Sequence, residues 1–218
     1  MSRLQLYTFQ LCPFAHRVRL MLAEKNLAAE LIEIDLKDKP ADFSTISPHG
    51  KVPVLRHGAV KVWESAIINQ YLDEVFPDPP LMPASPADRA LAQIWIKFAD
   101  ERLYAATHSL IFMRDREARR KLAAQMHDSL QFLESEVMAK RPAGGPYVFG
   151  DRLTLVDIAL YPWFEQQGAL EQLSEFRPPG ECHGLRAWRH AVGGRKAVQQ
   201  CARPTDWYVD RYRAYLDV

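Results

Sequence analysis

The stretch LQLYTFQLCPFAHRVRLML, residues 4–22, changes its hydrophobic period at a cysteine. Residues 4–9 have the aromatic, alternating character of a strand. After Pro13 the apolar residues fall at Phe14, Val18, Met21 and Leu22, the i, i+4, i+7, i+8 spacing of one helix face. A strand that passes into a helix at Cys12 leaves that thiol beside the free N–H groups of the first helical turn. Two readings follow. Cys12 is a small buried hydrophobe, or it is a thiolate stabilised by the helix end.

Outward from this stretch the elements alternate. In LIEIDL, residues 31–36, Ile32, Ile34 and Leu36 lie on one side and Glu33 and Asp35 on the other, which predicts a second strand. VPVL (52–55) and VKVW (60–63) flank RHGA, and a glycine-containing connector of that length predicts a hairpin. Ser65 is then placed to cap a helix carrying Ile67, Ile68, Tyr71, Leu72 and Val75. The crossover makes the first two strands parallel, whereas the hairpin is antiparallel. A mixed four-stranded sheet with helices packed on it is expected.

PDPPLMPASP, residues 77–86, holds five prolines in ten positions, and neither a helix nor a central strand survives that density. The expected organisation is an α/β domain over 1–78, a linker over 79–87 and a helical domain over 88–218. Ser85-Pro86-Ala87-Asp88 opens a long helix that should pass Trp95 and Tyr104. A second helix carries Leu122, Met126, Leu130, Leu133 and Val137. A third is announced by DRLTLVDIAL (151–160), where Thr154 caps, Asp157 reaches back to the cap amide and Leu153 staples onto Ile158. Asp157 is therefore read as a helix cap and not as a catalytic carboxylate. No strand pattern of comparable quality follows residue 90, so this domain reads as all-α.

Composition excludes several classes. Among 218 residues, 28 basic and 27 acidic side chains give a net charge of +1, which offers no electrostatic case for nucleic acid. The cluster Arg114, Arg116, Arg119, Arg120 and Lys121 is interleaved with Asp115 and Glu117 and reads as a solvated helix face. Cys12, Cys182 and Cys201 are odd in number and lack metal-ligand spacing, so neither a disulfide framework nor a metal site is expected. No run approaches the ~20 apolar residues of a membrane span, and Gln5, Gln10, His16, Arg17 and Arg19 break any signal-like segment. A cytoplasmic setting is the expectation, with no membrane partner.

Taken in order, CPFAHRVRLML, KVPVL, ESAIINQYLDE, the proline-rich linker and GDRLTLVDIAL resemble the cytosolic glutathione transferase family across essentially the whole chain. Cys12 followed by Pro-Phe-Ala is most similar to the omega-type members, in which a cysteine stands where other classes use tyrosine or serine. The resemblance implies a thioredoxin-like N-terminal domain, an all-helical C-terminal domain, glutathione as cosubstrate and a homodimer. It also implies a cis Pro53, which turns the Val52 backbone toward the cysteinyl part of glutathione. Glu64 and Ser65 are expected at the γ-glutamyl end of the ligand, where a helix N-terminus suits a carboxylate. Lys39, or alternatively Lys51, is expected to meet the glycyl carboxylate, and Phe14 to pack nearby. His16 departs from the acidic residue that omega members often carry there.

With Ala15 in the slot of a second cysteine, the implied chemistry is monothiol: Cys12 forms a mixed disulfide with glutathione, released by a second glutathione. Thiol transfer and dehydroascorbate reduction are the activities this implies, with an acceptor pocket expected between the domains near Tyr104, His108 and Trp207. The same linker region also resembles the stringent starvation proteins, which makes a non-catalytic protein-binding module the alternative.

Overall fold

The structure, a computed structural model, describes residues 3–142 and 144–216. The chain divides into two compact units, Met1–Pro80 and Leu81–Val218.

In the first unit the order is β1 (Leu4–Thr8), α1 (Pro13–Glu24), β2 (Ala29–Glu33), α2 (Phe43–Ile46), β3 (Val54–His57), β4 (Val60–Trp63) and α3 (Ser65–Val75). The strands lie in the order β2-β1-β3-β4. β1 is parallel to β2, with Leu6 opposite Leu31, and antiparallel to β3, with Leu6 opposite Leu55. The mixed sheet is as the crossover and hairpin rules require.

Three local details differ from the sequence reading. The hairpin connector is shorter than RHGA, because Arg56 and His57 pair with Lys61 and Val60 and leave only Gly58 and Ala59 in the turn. Gly58 takes φ +60°, the left-handed region that such tight turns demand. The second strand starts at Ala29 and stops at Glu33, although Ile34 still donates to Thr8 O at 2.8 Å and is buried. Along α3 the positions Ile67 and Val75 face outward, so the buried stripe is narrower than the apolar spacing implied.

The end of α1 is tied down by a buried cation. Lys25 Nζ donates to Phe76 O and Pro79 O, each at 2.6 Å, and pairs with Asp73 at 2.8 Å. A buried ammonium persists only when its donors are filled in this way.

The second unit is all-helical. α4 (Pro86–Phe98), a π-helical stretch (Ala99–Tyr104) and α5 (Ala105–Phe112) run on from one another. Ser85 caps α4 by accepting from Asp88 N at 3.0 Å. α6 (Arg116–Leu133) passes into a second π-helical stretch (Glu134–Met138), which takes in Val137. α7 (Leu155–Leu173) is the central helix, and α8 (His183–Gly193), α9 (Lys196–Cys201) and α10 (Thr205–Leu216) complete the unit. The arginines of α6 converge on Glu175, with Arg116 at 3.0 Å and Arg119 and Arg120 at 3.8 Å. The hydrogen bond from Arg116 holds that carboxyl below its usual range.

α7 contains Pro162, which would ordinarily break a helix interior. Here a side chain repairs the ladder. The Tyr104 hydroxyl donates to Ala159 O at 2.9 Å and accepts from Trp163 N at 3.0 Å, bridging the rung next to the proline.

At the start of α7, Thr154 and Asp157 form the capping box read from the sequence. Asp157 is fully buried and accepts from Val148 N (3.0 Å), Thr154 N (2.7 Å), Thr154 Oγ1 (3.0 Å) and Trp188 Nε1 (2.8 Å). Burial pushes its carboxyl up, against the pull of those four donors.

Candidate functional site

The turn from β1 into α1 is set by backbone and arginine together. Cys12 N donates to Phe9 O at 3.0 Å, and Cys12 O accepts from His16 N at 3.0 Å, so Cys12 is the residue from which the helix springs. Arg19 braces the strand end, donating to Thr8 Oγ1 (2.7 Å), Phe9 O (3.3 Å) and Gln10 O (3.1 Å) and meeting His16 Nδ1 at 3.1 Å.

Cys12 is half-buried, packed against the cluster of Tyr7, Ile34, Phe43, Val52 and Val54. Its Sγ donates to Val52 O at 3.8 Å. The N–H groups of Ala15 and Phe14 are the hydrogen-bond donors that favour the thiolate, as the helix-mouth reading expects. Burial outweighs them, however, and the thiol is pushed up despite those donors and the nearby Arg19 and Arg17 charges. The expectation of a depressed thiol is corrected on this point: the amides are in place, but the apolar cluster beneath the sulfur desolvates the anion.

Opposite Cys12 stands the loop before β3. Ser47 Oγ donates to Lys51 O at 2.8 Å and accepts from Lys51 N at 2.9 Å. This holds the approach to the Val52–Pro53 peptide, which is cis. Among the described residues, Val52 N–H has no hydrogen-bond partner, and Val52 O has only the Cys12 thiol. Lys39 is exposed, and its Nζ lies 3.5 Å from the point a Cβ on Gly50 would occupy, so its ammonium reaches this loop. Lys51 is exposed as well.

The third component is the start of α3. Ser65 is not its N-cap, as the sequence reading had it. Glu64 holds the cap position with φ +66°, and Ser65 is the first helical residue. A glutamate in the left-handed region carries a backbone cost on the order of 1–3 kcal/mol, and such residues gather at functional sites. Glu64 is exposed, whereas Ser65 is buried and accepts from Arg17 NH1 at 3.3 Å. The Arg17 guanidinium lies 5.1 Å from the centroid of the half-buried Phe14 ring. Thus α1 brings Cys12 to the Val52 loop at its start and, one turn on, Phe14 and Arg17 to the entrance of α3.

Arg17 and Arg19 were not singled out from the sequence. A signal for Arg17 existed, because it falls with Phe14, Val18 and Met21 on the buried stripe of α1. Of the residues expected near an acceptor pocket, Tyr104 is a core residue occupied by α7, a correction whose cause is the Pro162 rung. His108 stacks on Phe112 at 4.2 Å, and Trp207 is flanked by the guanidinium groups of Arg203 and Arg211.

Comparison with known proteins identifies the family. The family described as "Glutathione S-transferase, N-terminal domain" matches residues 6–80, and "Glutathione S-transferase, C-terminal domain" matches residues 116–191. The chain is 35% identical over 193 residues to "Glutathione S-transferase U22" of Arabidopsis thaliana, covering 86% of this chain and 84% of that one. It is 30% identical over 164 residues to "Glutathione S-transferase omega-2" of Rattus norvegicus, covering 75% and 65%. A rice transferase solved in complex with glutathione superposes with a TM-score of 0.86 at 30% identity, over 100% of this chain and 99% of that one.

Proposed function

Since the chain belongs to the glutathione S-transferase family, with its thioredoxin-like and all-helical units, we propose that it is a cysteine-based, omega-like member catalysing glutathione-dependent thiol transfer and dehydroascorbate reduction. Relatives named for the plant U series and for omega occur at similar identity, so their names do not select the chemistry. The observation that carries the proposal is the Cys12 sulfur at the start of α1, 3.8 Å from Val52 O. A ligand strand lying along Val52 presents its own sulfur to that thiol.

In the proposed cycle the Cys12 thiolate attacks the glutathione sulfur of a mixed disulfide. The substrate thiolate leaves and takes a proton, and a Cys12–glutathione disulfide forms. A second glutathione thiolate attacks that glutathione sulfur, releasing oxidised glutathione and the Cys12 thiolate. With dehydroascorbate, two glutathiones supply the two electrons. Val52 N–H and C=O pair with the cysteinyl backbone, and Ser65 with the first N–H groups of α3 receives the γ-glutamyl carboxylate. Glu64 accepts from the α-ammonium, and Lys39 meets the glycyl carboxylate. Phe14 packs beside Arg17 at the ligand's edge.

Ser65→Ala and Glu64→Gln are each expected to weaken glutathione binding about ten- to a hundredfold in calorimetry, because each strands a charged ligand group. Unchanged affinity in both variants refutes this site. A wild-type chain that glutathione-agarose does not retain supports the protein-binding alternative instead.

The proposal includes a homodimer, supported by apolar side chains left exposed on each unit. In the first, Val60, Trp63 and Ile67 are 41–54% exposed, and in the second, Leu91, Ile94 and Phe132 are 46–55% exposed. Phe132 stacks on Phe98 at 5.5 Å, which makes a rigid aromatic surface. Light scattering is expected to give twice the 25.0 kDa chain mass, and Phe132→Glu to shift it toward one. A wild-type mass of one chain at micromolar concentration overturns the dimer.

A further inference from the structure

In the helical unit a cleft of about 480 Å³ opens between α7, α8 and α9. Its walls include Tyr161, Arg186, Arg189, His190, Gln199 and the backbone at Gly193, and among the described residues no carboxylate lines it. None of these residues belongs to the glutathione site proposed above.

Two of these groups lack hydrogen-bond partners among the described residues. Tyr161 is only 7% exposed, and its ring packs edge-on against Trp188 at 6.4 Å between centroids, so its hydroxyl is fixed in place. Among the described residues that hydroxyl has no hydrogen-bond partner, and the half-buried Arg189 guanidinium has neither a hydrogen bond nor an ion pair. Both residues line the cleft, where they are open to an acceptor from outside the protein. Gly193 permits the arrangement, because a Cβ there would stand 3.0 Å from the Tyr161 oxygen.

The surrounding charges make the cleft receptive to an anion. Arg186 is anchored at the rim, donating to Gly180 O at 2.6 Å and meeting His183 Nδ1 at 2.6 Å. Of the carbonyls at the end of α8, His190 O and Val192 O are taken by Gly194 N (3.0 Å) and Arg195 N (3.1 Å). Glu165, one turn along α7 from Tyr161, accepts through Oε1 from Tyr208 Oη at 2.5 Å and Arg203 N at 3.3 Å, and its charge still reaches Tyr161, where Arg189 opposes it. Burial, reinforced by Glu165 and opposed by Arg189, pushes the Tyr161 hydroxyl up to about 12. It is therefore a hydrogen-bond donor throughout the neutral range.

We propose that this cleft is a binding site for the oxyanion group of a small organic ligand, a phosphate ester or a carboxylate. Arg189 supplies the charge-assisted contact, Tyr161 the fixed donor, and Arg186, His190 and Gln199 the outer wall. The volume is within the ~300–1,000 Å³ range of small-molecule sites and exceeds what a lone inorganic ion fills, so the ligand carries an organic body.

The test is calorimetric titration of the full chain with inorganic phosphate and, separately, with succinate, against sodium chloride at matched ionic strength. Saturable binding of either probe, absent with chloride, is expected, and the probe that binds identifies the headgroup. Arg189→Gln should weaken it at least about tenfold and Tyr161→Phe by about threefold or more, while glutathione affinity stays unchanged. Among the described residues Arg189 makes no hydrogen bond or ion pair, so its replacement tests the site with little disturbance of the fold. Gly193→Ala, which crowds the hydroxyl, should weaken binding as well. No saturable binding of either probe, or undiminished binding in both Arg189→Gln and Tyr161→Phe, overturns the proposal.

Discussion

Cys12→Ala is expected to lose thiol transfer and dehydroascorbate reduction by at least about a thousandfold while still binding glutathione, because the nucleophile is removed and the Val52 edge and α3 entrance are not. Wild-type protein treated with oxidised glutathione should gain one glutathione on Cys12, which excess reduced glutathione removes. Cys12→Ser cannot form that disulfide, but its hydroxyl is placed to hydrogen-bond a glutathione thiolate, so weak conjugation of an aryl halide should emerge. The pH dependence carries a definite sign. Burial raises the Cys12 thiol above its ordinary value, so in the free protein the reactive anion is the minor form at neutral pH. Alkylation of Cys12 should therefore accelerate as pH rises, with a midpoint above that of a free thiol. Full activity in Cys12→Ala, or label found only on Cys182 or Cys201, eliminates the mechanism.

Asp157→Ala should cause the largest loss of stability. The substitution removes one acceptor and strands four buried donors: two backbone N–H groups, the Thr154 hydroxyl and the Trp188 indole. Each costs about 1–3 kcal/mol when left unsatisfied, so the total is on the order of 4 kcal/mol after partial rehydration of the cavity. For a chain of this size that corresponds to a fall in Tm of roughly 10 °C. Asp157→Asn keeps an acceptor for Trp188 but turns an amide toward Thr154, and an intermediate loss is expected. Scanning calorimetry with a glutathione-binding assay checks both. Turnover abolished at unchanged Tm and unchanged glutathione affinity makes Asp157 a participant in the chemistry and refutes the cap.

What was legible in the sequence is what repeats along it. Strand alternation, the apolar stripe of α1 and the glycine-containing connector fixed the mixed sheet, and Thr154-Leu-Val-Asp157 announced its cap by spacing alone. The candidate site was legible only through resemblance, because Cys12 and Val52, and likewise Arg17 and Ser65, are far apart in the chain and meet only once the sheet is built. What escaped was decided by single residues against their local signal. Ser65 has the chemistry of a cap, yet Glu64 accepts a left-handed backbone and takes that position. Arg17 was not singled out, yet it is buried, lying over the Phe14 ring and donating to Ser65. Tyr104 reads as a pocket residue, yet the proline in α7 claims its hydroxyl. The helices α8 to α10 went unread, although in α8 Leu185, Trp188 and Val192 fall at i, i+3 and i+7 and are buried.

The strand order carries a consequence for biosynthesis. β1 leaves the ribosome before the other strands of its sheet, yet it lies in the interior of that sheet, between a strand made about twenty-five residues later and one made about fifty residues later. Until Val54–His57 has been synthesised, the apolar residues of Leu4–Thr8 have one flank open, and α1 lacks the α3 residues that Arg17 and Lys25 reach. Nascent β1 therefore emerges as a sticky edge that the later chain must cover. Translation that stalls between β2 and β3 produces a fragment with an unfilled place beside β1, and such fragments are substrates for chaperones and proteases rather than half-built domains.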